Sequence, residues 1–187
     1  MEAGFAFKLF VQAIEREVPL PKQMLERIPY WVLFHRLDPG EQLAEPFSGM
    51  VFIASGLLKA YVVHGQHQPV IVRFIPSGRF TVLVPDHLPQ VLRAVLPTSL
   101  LLVGFQAMLD AYHLQPELLS LYRMAIQQNM SDIQFRYRLL EERFAEQRIR
   151  LFLSRHAGIL PYLKKKDIAN YLHLDYNYFV RLYSRMV

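Results

Sequence analysis

The chain has 187 residues, 52% hydrophobic and 13% aromatic, so it can bury one large core or two small ones and is not an intrinsically disordered chain. It contains no Cys, which excludes disulfides, Cys-bound zinc, iron–sulfur clusters and thiol chemistry. The net charge of +5 is unevenly spread: residues 1–135 carry ten Lys+Arg against eleven Asp+Glu, whereas residues 136–187 carry eleven against five. An excess confined to the last quarter is either the footprint of a polyanionic partner or a solvated basic tail.

The opening, MEAGFAFKLFVQAIEREV, has Glu2, Glu15 and Glu17 where a secretory signal needs positive charge, so no signal is expected. Residues 5–17 follow a helical period until VPLP breaks it. A short helical turn over 21–29 places Met24, Leu25 and Ile28 inward. From Tyr30 the texture becomes β. YWVLFHRL, VFIASG, LLKAYVVH, PVIVRFIPSG, RFTVLV and SLLLVGF are short β-branched and aromatic runs separated by Gly, Pro, Asp and Gln turns. Gly65 falls in the hairpin predicted between Tyr61–Val63 and Val70–Phe74. Many evenly spaced short strands predict a barrel or sandwich. The most apolar run, residues 91–109, is interrupted by Arg93, Pro97 and Gln106, so no membrane partner is expected, and the absence of Cys makes a reducing cytoplasm the expected location.

After Gly104 the period becomes helical. FQAMLDAYHLQ predicts one helix ending near Pro116, and residues 117–143 then run without Pro or Gly. Leu119, Tyr122, Ile126, Met130, Ile133, Tyr137 and Leu140 recur there in steps of three or four, the repeat of a helix–helix seam. Such a stripe serves either a second subunit or packing on the β-rich part; a helix longer than a small barrel needs favours pairing. FAEQRIRLFLSRH predicts a further helix with Phe144, Ile149, Phe152 and Leu153 inward, stopping near Gly158. KKKDIANYLHLDYNYFVRLYSRM then reads as two short helices around a tight turn. Asp175 is the expected N-cap of the second. Phe179, Leu182 and Tyr183 point inward, with Tyr176, Asn177, Val180 and Arg181 on the other side.

This order of elements resembles the CRP/FNR superfamily of bacterial transcription regulators over about residues 15–186. The resemblance is carried by SGLLKAYVVHGQHQPVIVRFIPSGRF, LRAVLPTSLLLV, FAEQRIRLFLS with Arg148, and DIANYLHLDYNYFVRLYSRM. The short end is similar to Bacteroidetes-type members. The resemblance implies an α+β fold: an N-terminal cyclic-nucleotide-binding-like β-barrel (a double-stranded β-helix, or jelly roll) over 1–115, a long connecting and dimerisation helix over 116–142, and a helix-turn-helix DNA-binding domain over 143–187. It also implies a homodimer on double-stranded DNA. By matched position, Tyr176, Asn177 and Arg181 would face bases and Lys164, Lys165 and Lys166 phosphates. His173 stands where the family has a turn glycine.

The effector site matches less well. Cyclic-nucleotide binders carry a phosphate cassette with Glu and Arg-Ser. Gly78, Arg79 and Phe80 match its approach, but the cassette reads TVLVPDHLPQ, with Leu83, Leu88 and Pro89 at the key positions. Ile133 and Gln134 stand where helix residues contact the base, and Arg79 or Arg93 is the replacement available for the phosphate Arg. The expected pocket, Arg79, Phe80, Arg93, Ile133 and Gln134, is therefore degenerate and binds no cyclic nucleotide, with an unidentified small-molecule effector left open. No cofactor or metal is expected. His64 and His67 share a turn and read as loop histidines, although with His35, His87 and His113 they leave haem chemically open. Asp86–His87 and Asp110–His113 lack an adjacent nucleophile or metal ligand, so no enzyme is expected. The alternative function is a protein-interaction module with a Tyr-rich end that has lost ligand and DNA binding.

Overall fold

The computed structural model of the chain describes residues 1–43, 47–63, 68–84 and 90–186. His64, Gly65, His67, Asp86, His87, Leu88 and Pro89, which figure in the sequence reading, lie outside the described residues. Among the described residues, helices α1 (Ala3–Glu15) and α2 (Lys22–Trp31) precede seven strands: β1 (Val32–Leu37), β2 (Gly49–Ser55), β3 (Leu57–Val62), β4 (Val70–Pro76), β5 (Phe80–Leu83), β6 (Gln90–Ala94) and β7 (Thr98–Gly104). Helices α3 (Phe105–Leu114), α4 (Leu119–Glu141), α5 (Ala145–Arg155), α6 (Lys165–Tyr171) and α7 (Tyr176–Tyr183) follow. The chain thus has the α+β organisation and element order expected from its sequence. The strands form two antiparallel sheets, β1-β7-β2-β5 and β4-β3-β6, and among the described residues the pairing does not close into a barrel.

Strand alternation builds three layers of core. Side chains on opposite faces of a strand differ by one residue, and here each face meets a different partner. Val51, Ile53, Leu100 and Leu102 of the larger sheet bury against Leu58, Ala60, Ile75, Leu92 and Ala94 of the smaller one. The other face of the larger sheet, with Met50, Phe52, Phe80, Val82, Leu101 and Val103, is covered by Phe10 and Ile14 of α1, Met24 and Ile28 of α2, and Leu121 and Ala125 of α4. The other face of the smaller sheet carries Leu57, Tyr61, Ile71 and Phe74, which pack on Ile149, Phe152, Ile168, Tyr171, Leu172 and Phe179 of the C-terminal helices.

Helix α4 links these layers. Strands β5 and β4 are edges of their sheets, and α4 packs against both, so it covers the seam where the sandwich is open. Its first half contributes Leu121 and Ala125 to the α1–α2 core, and its second half contributes Leu139 to the C-terminal core. The β2–β3 corner turns at Gly56, with φ +93°, where an added Cβ would lie 2.6 Å from the Pro97 carbonyl oxygen. No described helix is long and apolar enough to cross a membrane. One inward assignment from the sequence is corrected: Phe144 is exposed, because α5 begins one residue later, and its ring lies under the Arg143 guanidinium at 5.7 Å.

Candidate nucleic-acid interface and the sheet–helix junction

The terminal helix pair is held by local chemistry. Helix α6 ends with His173 at φ 55°, the left-handed conformation that usually selects Gly. The Leu174 N–H then donates to Ala169 O at 3.0 Å and His173 N–H to Asn170 O at 3.1 Å, closing the last turn of α6. Asp175 caps α7, its carboxylate accepting the Tyr178 N–H at 2.9 Å. Phe179 and Leu182 are buried beneath α7, whereas Tyr176, Asn177, Tyr178 and Arg181 are exposed together. Lys164 precedes α6 and Lys165 and Lys166 begin it, all exposed. Lys165 lies 5.4 Å from the Tyr183 ring centroid. The arrangement presents amide, guanidinium and phenol groups on a short rigid helix beside three ammonium groups.

The structure splits the sequence stripe on α4 between solvent and the margin of the core. Leu119, Met130, Ile133 and Tyr137 are exposed, Tyr137 by 66%, while Tyr122, Ile126 and Leu140 are half-buried. The buried line is a different one: Leu121, Ala125, Asn129 and Leu139.

The five residues proposed for an effector pocket are not brought together. Phe80 pairs with Phe52 across β2–β5 and faces α1, its ring 6.0 Å from that of Phe10. Arg93 pairs with Lys59 across β3–β6 and so points out of the sandwich. There it stacks on Tyr61 at 5.1 Å and donates to the Tyr61 hydroxyl at 3.0 Å. Arg79 is spent on α4: it forms an ion pair with Asp132 at 3.1 Å and donates to Gln128 Oε1 at 3.3 Å. Ile133 and Gln134 are exposed on α4, just after the Asp132 that Arg79 holds. The physical reason is the period of two, which puts Phe80 and Arg93 on outer faces of opposite sheets.

Sequence reasoning missed three features of this region. First, Arg73 on β4 is 1% exposed and points inward, paired with Ala60. A register shift between Ala60 and Tyr61 aims it there. It donates to Thr81 Oγ1 at 3.2 Å, to Gln90 Oε1 at 2.7 Å and to Asn129 Oδ1 of α4. Burial lowers its pKa to about 10, against the opposing pull of Asp132. The available signal was an Arg in the apolar run PVIVRFIP.

Second, the C-terminal helices are tied to the smaller sheet. Asn170 accepts the Ile71 N–H at 2.7 Å and donates to Pro69 O at 3.0 Å, satisfying the free edge of β4 as another strand would. Lys59 and Asp167 are paired at 2.8 Å beside it. These contacts line a cleft of about 520 Å³ that also borders Tyr61, Arg93, Lys166 and Tyr176. Third, His156 is enclosed by Phe74, Phe135, Phe152 and Tyr171, and its pKa is pushed down to about 4 by burial, then by Arg155 and Arg79. Asp110 and His113 sit on α3, where Asp110 accepts from Gln106 at 3.1 Å.

A two-sheet sandwich, a long helix across its seam and a capped C-terminal helix pair make up the architecture. No family model and no curated protein matches the sequence. Solved structures do match. The chain is similar to a protein from Eubacterium rectale assigned to the CRP/FNR family of transcriptional regulators, with TM-score 0.74 and 12% identity over 96% of this chain and 86% of that one. It is similar to FixK2 from Bradyrhizobium japonicum, with TM-score 0.71 and 17% identity over 83% and 84%. It is also similar to the c-di-GMP responsive global regulator CLP of Xanthomonas campestris, with TM-score 0.69 and 12% identity over 87% and 89%. The chain therefore has the fold of the CRP/FNR regulators across most of its length.

Proposed function

We propose that the chain is a sequence-specific DNA-binding regulator of transcription that acts as a homodimer in the cytoplasm and does not bind cyclic nucleotide. Residues 1–115 form its sensor-like domain, 116–142 its pairing helix and 143–187 its DNA-binding domain. The observation that carries this reading is α7, which turns Tyr176, Asn177 and Arg181 outward over a buried Phe179 and Leu182. Asn177 reads adenine and Arg181 guanine through paired hydrogen bonds in the major groove. Lys164, Lys165 and Lys166 bind phosphate, and Tyr176 contacts phosphate or a thymine methyl. The exposed Leu119, Met130, Ile133 and Tyr137 on α4 supply the seam for a second copy. That seam sets two α7 helices about 34 Å apart, one turn of DNA. The occupied Arg79 and outward-facing Arg93 support the absence of cyclic-nucleotide binding; no particular effector is assigned.

Selection of DNA from a random pool by the purified protein tests this, at low and high salt, with Arg181→Ala in parallel. A two-fold-symmetric motif, lost in the variant and weakened steeply by salt, is expected. Motif-free binding, or none, would overturn the reading in favour of a protein-interaction module using Tyr162, Tyr176 and Tyr178, all exposed.

A further inference from the structure

Among the described residues, Arg73 is the one charged side chain buried to this degree. It sits where α4 crosses the edges of β4 and β5. Its guanidinium donates to oxygens on β5, β6 and α4, namely Thr81 Oγ1, Gln90 Oε1 and Asn129 Oδ1. Asn129 is in turn fixed to β5: its Nδ2 donates to Val82 O at 3.3 Å, and its Oδ1 accepts the Thr81 hydroxyl at 3.0 Å. One planar group thus joins three strands to one position on α4.

Sealing the seam does not call for such a group. A buried cation loses its hydration, and an apolar side chain of similar volume closes a gap at lower cost. Among the described residues no carboxylate lies within ion-pair distance of Arg73; Asp132, the nearest acid on α4, is held by Arg79 and Arg155. A guanidinium fork offers direction instead. Only Asn129 Oδ1 among these oxygens lies on α4, but Asn129 is also bonded to Thr81 and Val82 of β5, so fork and amide together set where that residue of α4 meets the seam, which a Leu or Met would leave free. That setting reaches the helix pair, because α4 continues to Leu139 in the C-terminal core and Arg136 donates to Tyr171 O of α6 at 3.2 Å.

We propose that Arg73 is a built-in latch at the sheet–α4 junction: it holds α4 in one register on the strands, so that DNA binding needs no added small molecule. This rests on the DNA-binding reading above and names its regulation. Arg73 is a positioning residue, since it acts on the helix pair only through Asn129 and α4.

The test compares wild type, Arg73→Ser and Arg73→Met as full-length proteins, with and without millimolar ethylguanidinium. It reads affinity for the selected DNA and amide hydrogen exchange over residues 125–133. Wild type is expected to bind DNA with no small molecule present. Arg73→Ser is expected to lose about tenfold in DNA affinity and about tenfold in α4 protection, with β2 and β7 unchanged. Ethylguanidinium restores both in Arg73→Ser but not in Arg73→Met, whose side chain fills the space. A merely space-filling role predicts the opposite: Arg73→Met behaves as wild type and rescue fails. Wild-type exchange in folded Arg73→Ser, or wild type that binds DNA only after a small molecule is added, overturns the proposal. If Arg73→Ser does not fold, Arg73→Met decides: wild-type α4 protection and affinity overturn it, and their loss supports it. Wild type that binds no DNA at any salt sinks the regulator reading itself, and α4 exchange then decides the register claim separately.

Discussion

Acidification should weaken this fold through one histidine. The His156 ring is 4.6 Å from Phe152, 5.8 Å from Phe74, 5.9 Å from Phe135 and 5.8 Å from Tyr171. Its buried Nε2 has no hydrogen-bond partner among the described residues. Burial, followed by Arg155 and Arg79, lowers its pKa to about 4 from an ordinary 6.5. The folded chain therefore keeps this ring neutral where the unfolded chain has already taken up a proton. The stability tied to it is full above about pH 6.5 and is lost progressively as pH falls toward 4, at about 1.4 kcal/mol per pH unit. Between neutral pH and pH 5 the loss is about 2 kcal/mol, a large share of a marginal total. Urea unfolding of wild type and His156→Phe at about pH 7.5 and pH 5 measures it. The variant keeps a ring in the aromatic cluster and removes the titration, so it should lose about 2 kcal/mol less on acidification than wild type. Equal losses in the two proteins, or a native His156 titrating near 6.5 by NMR, would refute the reasoning.

The docking of the helix pair on the smaller sheet makes further predictions. Lys59 and Asp167 are only 18% and 16% exposed, so a double-mutant cycle should return a coupling of about 1 kcal/mol, at the upper end for partly screened pairs. Asn170→Ala strips partners from the Ile71 N–H and Pro69 O, should cost about 1–2 kcal/mol by urea unfolding, and should speed amide exchange in α6. Two glycines should differ. Gly56→Ala meets the Pro97 carbonyl at a positive φ and should destabilise by more than about 2 kcal/mol, whereas Gly78→Ala, at φ +81° in open space, should cost about 1 kcal/mol. Similar urea midpoints for the two would show that the corner at Gly56 relaxes.

Much of this protein was legible locally. Helical period, Gly and Pro punctuation and the charge excess placed α3, α4 and α5, the strand-rich region and the capped turn at Asp175, because each depends on residues a few positions apart. His173 at φ 55° stands where a glycine was expected, and its own sequence position already raised that requirement. Facing was harder. Arg93 and Phe80 look equivalent to Arg73 and Thr81 along the chain, yet a period of two sends the first pair outward and the second inward. Which face meets α1, the other sheet or the helix pair depends on strands distant in sequence, and a single register shift at Tyr61 re-aims β4. The sequence by itself determined most of the helices and strands, though not β6, and that a basic helix pair follows them. Only the tertiary structure decided that Arg73 is inside and Arg93 outside, that Asn170 completes the edge of β4, and that α4 turns Asn129 inward and Tyr137 out. Those outcomes follow from how two sheets and a helix share one seam, a long-range constraint that no local period encodes.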